Sequence, residues 1–235
     1  DTGAPANTTR LWEGKSIVGL QGSFGTVSLG REENPAYTFA QTVADPWGTD
    51  TVASNGTIVA GRIGSTRYSD SVNWRYSAQG LNVGIQFTED TGFEKRPYSV
   101  GVGYVMGDLQ LGFGHENPGD KDDSWTTVYA GMKFGDAKAG VFFGTGKNAS
   151  AQKHQAWLLS ATWKVGAGEA RFSYGQLENK DVAANGIADK QLGLGYHHGL
   201  SKRTTVYVDL VNEKRDALPA NRKKTGWDLG IRHNF

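Results

Sequence analysis

The chain has 235 residues, with 25 lysines and arginines against 24 acidic residues, a formal charge of +1 and no cysteine. The near-neutral balance removes the basic footprint that nucleic acid requires, and without thiols neither a disulfide framework nor a thiolate metal site can form. A mean hydropathy of −0.49, with no run of 18 apolar residues anywhere, excludes a chain that crosses a membrane as helices.

Composition barely changes from end to end and no linker appears, so a single domain over 1–235 is expected. No charged segment followed by an apolar core stands at Asp1, so any secretion signal is expected to be already removed or to lie upstream.

From Trp12 the sequence alternates, with Val18 and Leu20 on one parity and Lys15, Gly19 and Gln21 on the other, and turns at Ser23-Phe24-Gly25. Val27 and Leu29 continue the pattern into a long segment, Glu32 to Gly64, that carries turn-formers at Asn34-Pro35, Asp45-Pro46 and Asn55-Gly56. Connections of that length inside a compact architecture are usually functional or disordered. This one stands between two clear strands and is expected to fold into something.

After it the beat is regular. Val72, Trp74 and Tyr76 lead to a turn at Gln79-Gly80, and Leu81, Val83, Ile85 and Phe87 leave it. Tyr98 to Tyr104 and Leu109 to Phe113 flank Gly107-Asp108; Val128 to Phe134 and Ala139 to Phe143 flank Gly135-Asp136. Trp157 to Trp163 and Ala170 to Tyr174 flank Gly166 to Gly168, and Leu192 to Tyr196 and Val206 to Leu210 flank Leu200 to Arg203. Trp227, Leu229, Ile231 and Phe235 close the chain. Each segment has period two, with one apolar face and one polar or glycine face. The count is 13 strands, with no helical stripe outside the long segment.

Tight turns alternate strictly with longer polar loops, so all tight turns fall at one end of the sheet. The apolar parity is aromatic near the strand ends, as at Trp157 and Trp163, and the other parity is polar, charged or glycine. A small soluble barrel fills its interior with apolar side chains. Strands of roughly 10 residues that are apolar outside, polar inside and aromatic at the rims predict an all-β, transmembrane antiparallel barrel of the outer-membrane type, in which closure leaves no backbone donor facing lipid.

Four stretches carry a family resemblance. FGTVSLGR at 24–31, DPWG at 45–48, GLSKRTTVYV at 199–208 and GIRHNF at 230–235 resemble the general porins of β-proteobacteria, in that family's order. The resemblance implies a 16-stranded pore of the outer membrane, assembled as a homotrimer among lipid and lipopolysaccharide. It implies a loop after the fifth strand folded inward as a constriction, here 32–64, and a terminal Phe235 read by the barrel assembly machinery. It implies passage of small hydrophilic solutes and ions, with no cofactor, no metal and no enzymatic activity.

Counting back from Phe235 makes the first visible strand number four and puts the long segment after strand five. Thirteen is odd, whereas a barrel of this kind normally closes on an even number, so the first three strands are expected to be missing from this sequence. A 12- or 14-stranded barrel with one strand miscounted is the alternative.

The candidate chemistry is electrostatic. By parity the lumen carries Arg75, Lys133, Lys138, Lys164, Arg171 and Arg232 against Glu169, Asp209, Glu213 and Asp228. The long segment adds Glu32, Glu33, Asp45 and Asp50 before Arg62. Rings of opposed charge at a narrow point set ion selectivity, which makes Arg31, Asp45, Asp50, Arg62, Arg67 and Arg75 the candidate constriction residues, with a weak anion preference expected. Lys133, Lys138, Lys164 and Arg171 lie near the tight turns, where solvating a rim is the simpler role. The family often has arginine where this chain has Asn73. Arg31 shares the outward parity of Leu29, so a lumen position for it requires a bulge or the strand's end.

Other residues lose force on inspection. His197 and His198 are adjacent on a strand, point to opposite faces and cannot chelate one metal. The Gly-x-Gly tracts at 101–103, 112–114, 144–146 and 193–195 precede no helix, so a dinucleotide reading fails. Asp120, Asp122 and Asp123 could bridge a divalent ion, though a solvated loop explains them. No Ser, His and Asp set can be assembled from spacing. An outer-membrane enzyme or adhesin on a barrel would need a catalytic trio at a rim or longer outer loops, and a soluble β-protein would need no detergent. Both stay open at this point.

Overall fold

The computed structural model describes residues 14–89, 94–121, 123–181, 187–215 and 222–234. Trp12, Asp122 and Phe235, singled out above, lie outside them. Thirteen strands make one sheet: β1 (Ser16–Gly22), β2 (Gly25–Glu33), β3 (Arg67–Ala78), β4 (Leu81–Thr88), β5 (Tyr98–Met106), β6 (Leu109–Asn117), β7 (Ser124–Phe134), β8 (Ala137–Lys147), β9 (Lys153–Val165), β10 (Gly168–Asn179), β11 (Ile187–Gly199), β12 (Thr204–Arg215) and β13 (Arg222–His233). Each is hydrogen-bonded to its neighbours in sequence, in the order β1 to β13. Every pair is antiparallel, from Val18 opposite Leu29 at one edge to Val208 opposite Leu229 at the other. The described residues therefore hold the expected number of strands, and β1 and β13 run in the same direction.

The two faces invert the soluble pattern. Large apolar side chains are exposed along the outer parity, with Leu20 76%, Trp163 60%, Trp227 71% and Leu229 73% accessible. Polar ones are buried along the inner parity: Asn73, Gln86, Ser99, Glu116, Thr127, Ser173 and Asp209. The first set is the face expected to meet lipid or a neighbouring subunit, and the inward-folded segment covers the second.

Residues 34–66 connect β2 to β3 and hold the helical structure: a π-helical turn (Tyr37–Gln41), α1 (Thr42–Ala44) and α2 (Gly56–Val59). None of these is long or apolar enough to cross a membrane. At the root of the segment the pairing of β2 with β3 slips by one residue between Gly30 and Glu32. The extra residue lies in β3, where Asp70 has φ 48. A bulge in β3 does not rotate β2, so Arg31 keeps the outward parity of Leu29.

Lysine in place of Leu229 is expected to destabilise the folded barrel by about 2–4 kcal/mol if the site lies near the bilayer midplane, as read by urea unfolding in lipid vesicles. Cysteine labelling gives the companion test. An aqueous reagent that reaches Leu229→Cys as readily as Gly230→Cys would contradict the assigned faces.

Candidate functional site

The segment is seated first by glycine. A Cβ on Gly101 would stand 2.2 Å from the Pro35 carbonyl oxygen, and one on Gly112 would stand 2.3 Å from that of Phe39. Only bare backbone on β5 and β6 lets the π-helical turn lie this close. Asn34 and Pro35 start that turn as a capping pair. The Asn34 Oδ1 accepts from Tyr37 N at 2.8 Å and from Ser99 Oγ at 3.0 Å.

A single buried carboxylate rivets both ends. Glu116, 0% exposed, accepts from Asn34 Nδ2 at 3.2 Å and Gln41 Nε2 at 2.7 Å on the entering side. From the leaving side it accepts Ser65 N at 2.9 Å and Tyr68 Oη at 3.0 Å. Four donors on one carboxylate satisfy the demand that buried polar groups be paired.

The middle is held by apolar packing, which parity alone does not anticipate. Ala44, Ile58 and Val59 pack on inward-facing Trp125, Tyr129, Phe142, Leu158 and Leu177, all buried. Trp125 Nε1 donates to Val59 O at 2.8 Å, and His154 Nδ1 to Gly61 O at 2.8 Å.

The tip carries the Asp45-Pro46-Trp47-Gly48 tract. Asp45, 4% exposed, accepts from Trp47 N, Thr49 N, Asn55 N and Asn55 Nδ2 at 2.8–3.3 Å. Burial pushes its carboxyl above the usual range, and the donors from Asn55, Thr49 and Trp47 pull the other way. Trp47 Nε1 donates to Asp209 Oδ1 at 2.7 Å, and His197 Nε2 lies 3.0 Å from the same oxygen. Arg171 donates to Pro46 O, Gln191 to Ala53 O, and Val52 N to Asp228 Oδ2. The segment thus lies along the inner wall from β4 to β13.

The six candidate constriction residues fall into separate places. Arg67 pairs with Glu33 at 2.6 Å. Arg75 donates to Glu33 O and lies 5.8 Å over the Phe39 ring. Lys15 and Glu32, paired at 2.5 Å, form an inner-face cluster with Arg75 at the root of the segment, whereas Arg67 and Glu33 stand opposite each other on the parity of Arg31. Arg31 stays on the outer parity and donates to Ser69 Oγ at 2.9 Å. Arg62 leaves the segment in the left-handed region, φ 58, and pairs with buried Asp189 on β11 at 2.8 Å. Asp45 is enclosed in the tip.

Asp50 is exposed. It lines a cavity of about 170 Å³ with Trp47, Arg171, His197, Tyr207 and Arg232. Asp45 and Asp50 therefore do not stand together opposite Arg67 and Arg75; Asp50 shares its cavity with Arg171 and Arg232 instead.

Sequence reasoning missed Glu116, Trp47 and the His197–Asp209 pair as fasteners. Glu116 shares the inward parity of Gly112 and Gly114, which is the signal that could have found it. His197 and His198 do point to opposite faces: the first bonds Asp209, and the second lies near Tyr196 on the outside, with ring centroids 6.1 Å apart. Asp123 and Asp120 close a turn, Asp123 N donating to Asp120 O at 2.9 Å. Among the described residues no group of three ligating side chains could hold a metal.

The sheet carries apolar side chains outward and polar ones inward, with a segment fastened along its inner wall. The family model described as Gram-negative porin matches residues 1–218. The chain belongs to the Gram-negative porins. It is 22% identical to an outer membrane porin protein of Bordetella pertussis, over 99% of this chain and 74% of that one. It is 28% identical to outer membrane porin protein 32 of Delftia acidovorans, over 94% and 73%. In fold the porin is similar to OmpT of Vibrio cholerae, with a TM-score of 0.70 at 18% identity over 92% of this chain and 79% of that one. It is a multi-pass β-barrel protein of the outer membrane.

The tip fastener gives a direct test. Trp47→Phe keeps the packing but removes the donor to Asp209, a bond to a charged group that contributes roughly 1.5–3 kcal/mol. Limited proteolysis of folded barrels is expected to cut the segment faster in this variant. Equal protection of the two proteins would show that Asp209 does not hold the tip.

Proposed function

We propose that this porin forms a water-filled channel for passive diffusion of small hydrophilic solutes and ions, narrowed by the segment 34–66, and that it acts as a pore and not as an enzyme. The observation that carries the reading is the fastening of that segment to the inner wall, by Glu116 at both ends and by Asp209 at the tip. We read a connection held this way as narrowing the lumen without filling it.

A weak anion preference is the selectivity this arrangement favours. The inner-face acids are engaged: Asp209 by Trp47 and His197, Asp228 by Val52 N, Glu169 by Arg171 and Glu213 by Arg215. Arg75, Lys133, Lys138, Lys164 and Arg232 have no carboxylate ion pair among the described residues. We further propose an assembly of three copies. We also place an odd number of additional strands, three in the porin arrangement, between β13 and β1, because these two run in the same direction.

Liposome swelling tests the channel reading. Vesicles holding the porin should admit small sugars at rates that fall steeply with solute size, and discrete current steps should appear in planar bilayers. Vesicles as tight as protein-free ones, with the barrel folded, would refute it.

A further inference from the structure

A cavity of about 220 Å³ lies beside the tip of the inward-folded segment, on the tight-turn side of the wall. Val43 and Pro46 of the segment close one side of it, and inward-facing side chains of β7 to β10 close the other.

Tyr129 is the residue that makes the cavity unusual. Its ring packs in the apolar cluster with Trp125 and Phe142, while its hydroxyl lies over a pair of glycines. Gly131 and Gly140 are register partners, and a Cβ on them would stand 2.3 Å and 2.6 Å from Tyr129 Oη. Two bare positions on neighbouring strands are therefore what lets the phenol lie along the wall. Tyr129 is only 4% exposed, yet its Oη has no hydrogen-bond partner among the described residues. Buried polar groups are normally paired, so the partner has to come from the cavity that this side chain lines.

The other polar groups of the lining are half-buried and equally open to a guest. Lys138 Nζ donates to Gln110 Oε1 at 2.7 Å and, with three N–H bonds on the ammonium, keeps donors to spare. Glu169 accepts from Arg171 Nε through Oε1 at 2.9 Å and keeps its second oxygen. Arg171 also donates to Pro46 O at 2.8 Å, which ties the segment to this wall and holds the cavity in shape. Ser160 and Thr162 add two hydroxyls that make no side-chain hydrogen bond among the described residues.

Charge decides what such a lining can take. Lys138 and Glu169 share the cavity without forming an ion pair, and Asp45 beside them is already enclosed by its four donors. A simple anion would gain Lys138 and meet Glu169; a simple cation would do the reverse. A neutral solute with many hydroxyls suits both, because each hydroxyl donates and accepts. The volume falls below the roughly 300–1,000 Å³ of sites for drug-sized ligands, which matches one sugar ring. Val43 and Pro46 offer apolar surface to its C–H face.

We propose that this cavity is a binding subsite for a neutral monosaccharide, with Tyr129, Lys138, Ser160, Thr162 and Glu169 as its hydrogen-bonding partners. Weak binding is the useful kind here, since a permeating solute must also leave. The inference deepens the channel reading and rests on it for the access of solutes to the lumen.

The test titrates the folded full chain, in deuterated dodecylphosphocholine, with D-glucose and reads binding by saturation-transfer NMR. The wild type is expected to bind glucose saturably, and neither lactate nor glycine at equal concentration should displace it. Tyr129→Phe keeps the ring on its glycines and removes only the hydroxyl. It and Lys138→Gln should each weaken binding several-fold, and Ser160→Ala with Thr162→Val about tenfold, as lost hydrogen bonds of ordinary strength require. Thr205→Val removes an inner-face hydroxyl outside this cavity and should leave binding unchanged.

A glucose signal that does not saturate would mean that the cavity holds water only, and would overturn the site. So would affinities of Tyr129→Phe and Lys138→Gln within twofold of wild type, or an equal loss in Thr205→Val. Displacement of glucose by lactate or glycine at equal concentration would overturn the sugar assignment. If the double variant fails to fold, by heat-dependent migration on gels, Tyr129→Phe decides. Bilayer conductance read on the same samples keeps the two readings apart: open channels without glucose binding sink the subsite alone, and binding without conductance sinks the channel alone.

Discussion

Replacing Glu116 by alanine is expected to release the inward-folded segment while the barrel stays folded. Asn34, Gln41, Ser65 and Tyr68 all donate to this one carboxylate, and its loss strands them together at both ends of the segment. A buried donor left without its partner costs about 1–3 kcal/mol. Water reaching the lumen will satisfy some of the four, so the net loss of docking free energy should be about 3 kcal/mol, the upper end for a single donor.

The apolar contacts of Ile58 and Val59 and the Trp47 anchor remain, so the segment should fluctuate rather than leave. Single channels of Glu116→Ala should show flickering current and easier proteolysis between 34 and 66. Glu116→Gln, which keeps the shape but turns one acceptor into a donor, should lie between. Quiet channels of wild-type conductance in Glu116→Ala would mean that the glycine seat and the apolar patch suffice without the rivet.

Selectivity should respond in opposite directions to two sets of charges. Asp50 is the exposed acid of the tip and shares its cavity with Arg232, and Arg75 lies at the root of the same segment. A unit charge about 8 Å from an ion in water contributes about 0.5 kcal/mol, roughly a twofold change in local ion concentration. Arg75→Gln with Arg232→Gln is therefore expected to move the reversal potential under a salt gradient toward cations, by about twofold in permeability ratio for each charge removed.

Asp50→Asn should move it about twofold toward anions. Asp45→Asn, at a side chain that faces the interior of the tip, should disturb docking more than selectivity. All the electrostatic shifts should shrink between 0.1 M and 1 M salt, as the screening length falls from about 10 Å to about 3 Å. A reversal potential indifferent to both the arginine and the Asp50 substitutions would place the narrowest point elsewhere.

The wall was legible because its signal is local. Period two puts Trp227 and Leu229 on one face and Asp228 and Gly230 on the other whatever the rest of the chain does. Turn-formers such as Gly107-Asp108 and Gly135-Asp136 mark each reversal. Strand number, strand order and the inverted polarity all follow. The inner glycines were legible as a track but not as a seat, because a missing side chain does not announce what will lie against it.

The site was legible only in part. Its charged residues were found, yet their pairing was not, since parity says which face a side chain takes and nothing about what crosses the lumen toward it. Asp45 looked like a pore-facing acid because it sits in a long polar segment. In the folded chain four N–H donors enclose it, and the DPWG tract serves as a knot at the tip. Arg62 likewise looked like a selectivity charge and is engaged by Asp189, 127 residues away along the chain.

The sequence by itself determined the barrel wall, its two faces and the position of the long segment between the first two of its visible hairpins, because alternation, turns and length act over a few residues at a time. The path of that segment was decided by tertiary structure alone. Glu116 lies 75 residues from Gln41 and Asp209 lies 162 from Trp47, and such partners meet only once the wall has curved around the segment. Which charges are consumed in fastening and which are left to face a permeating ion is settled at that step.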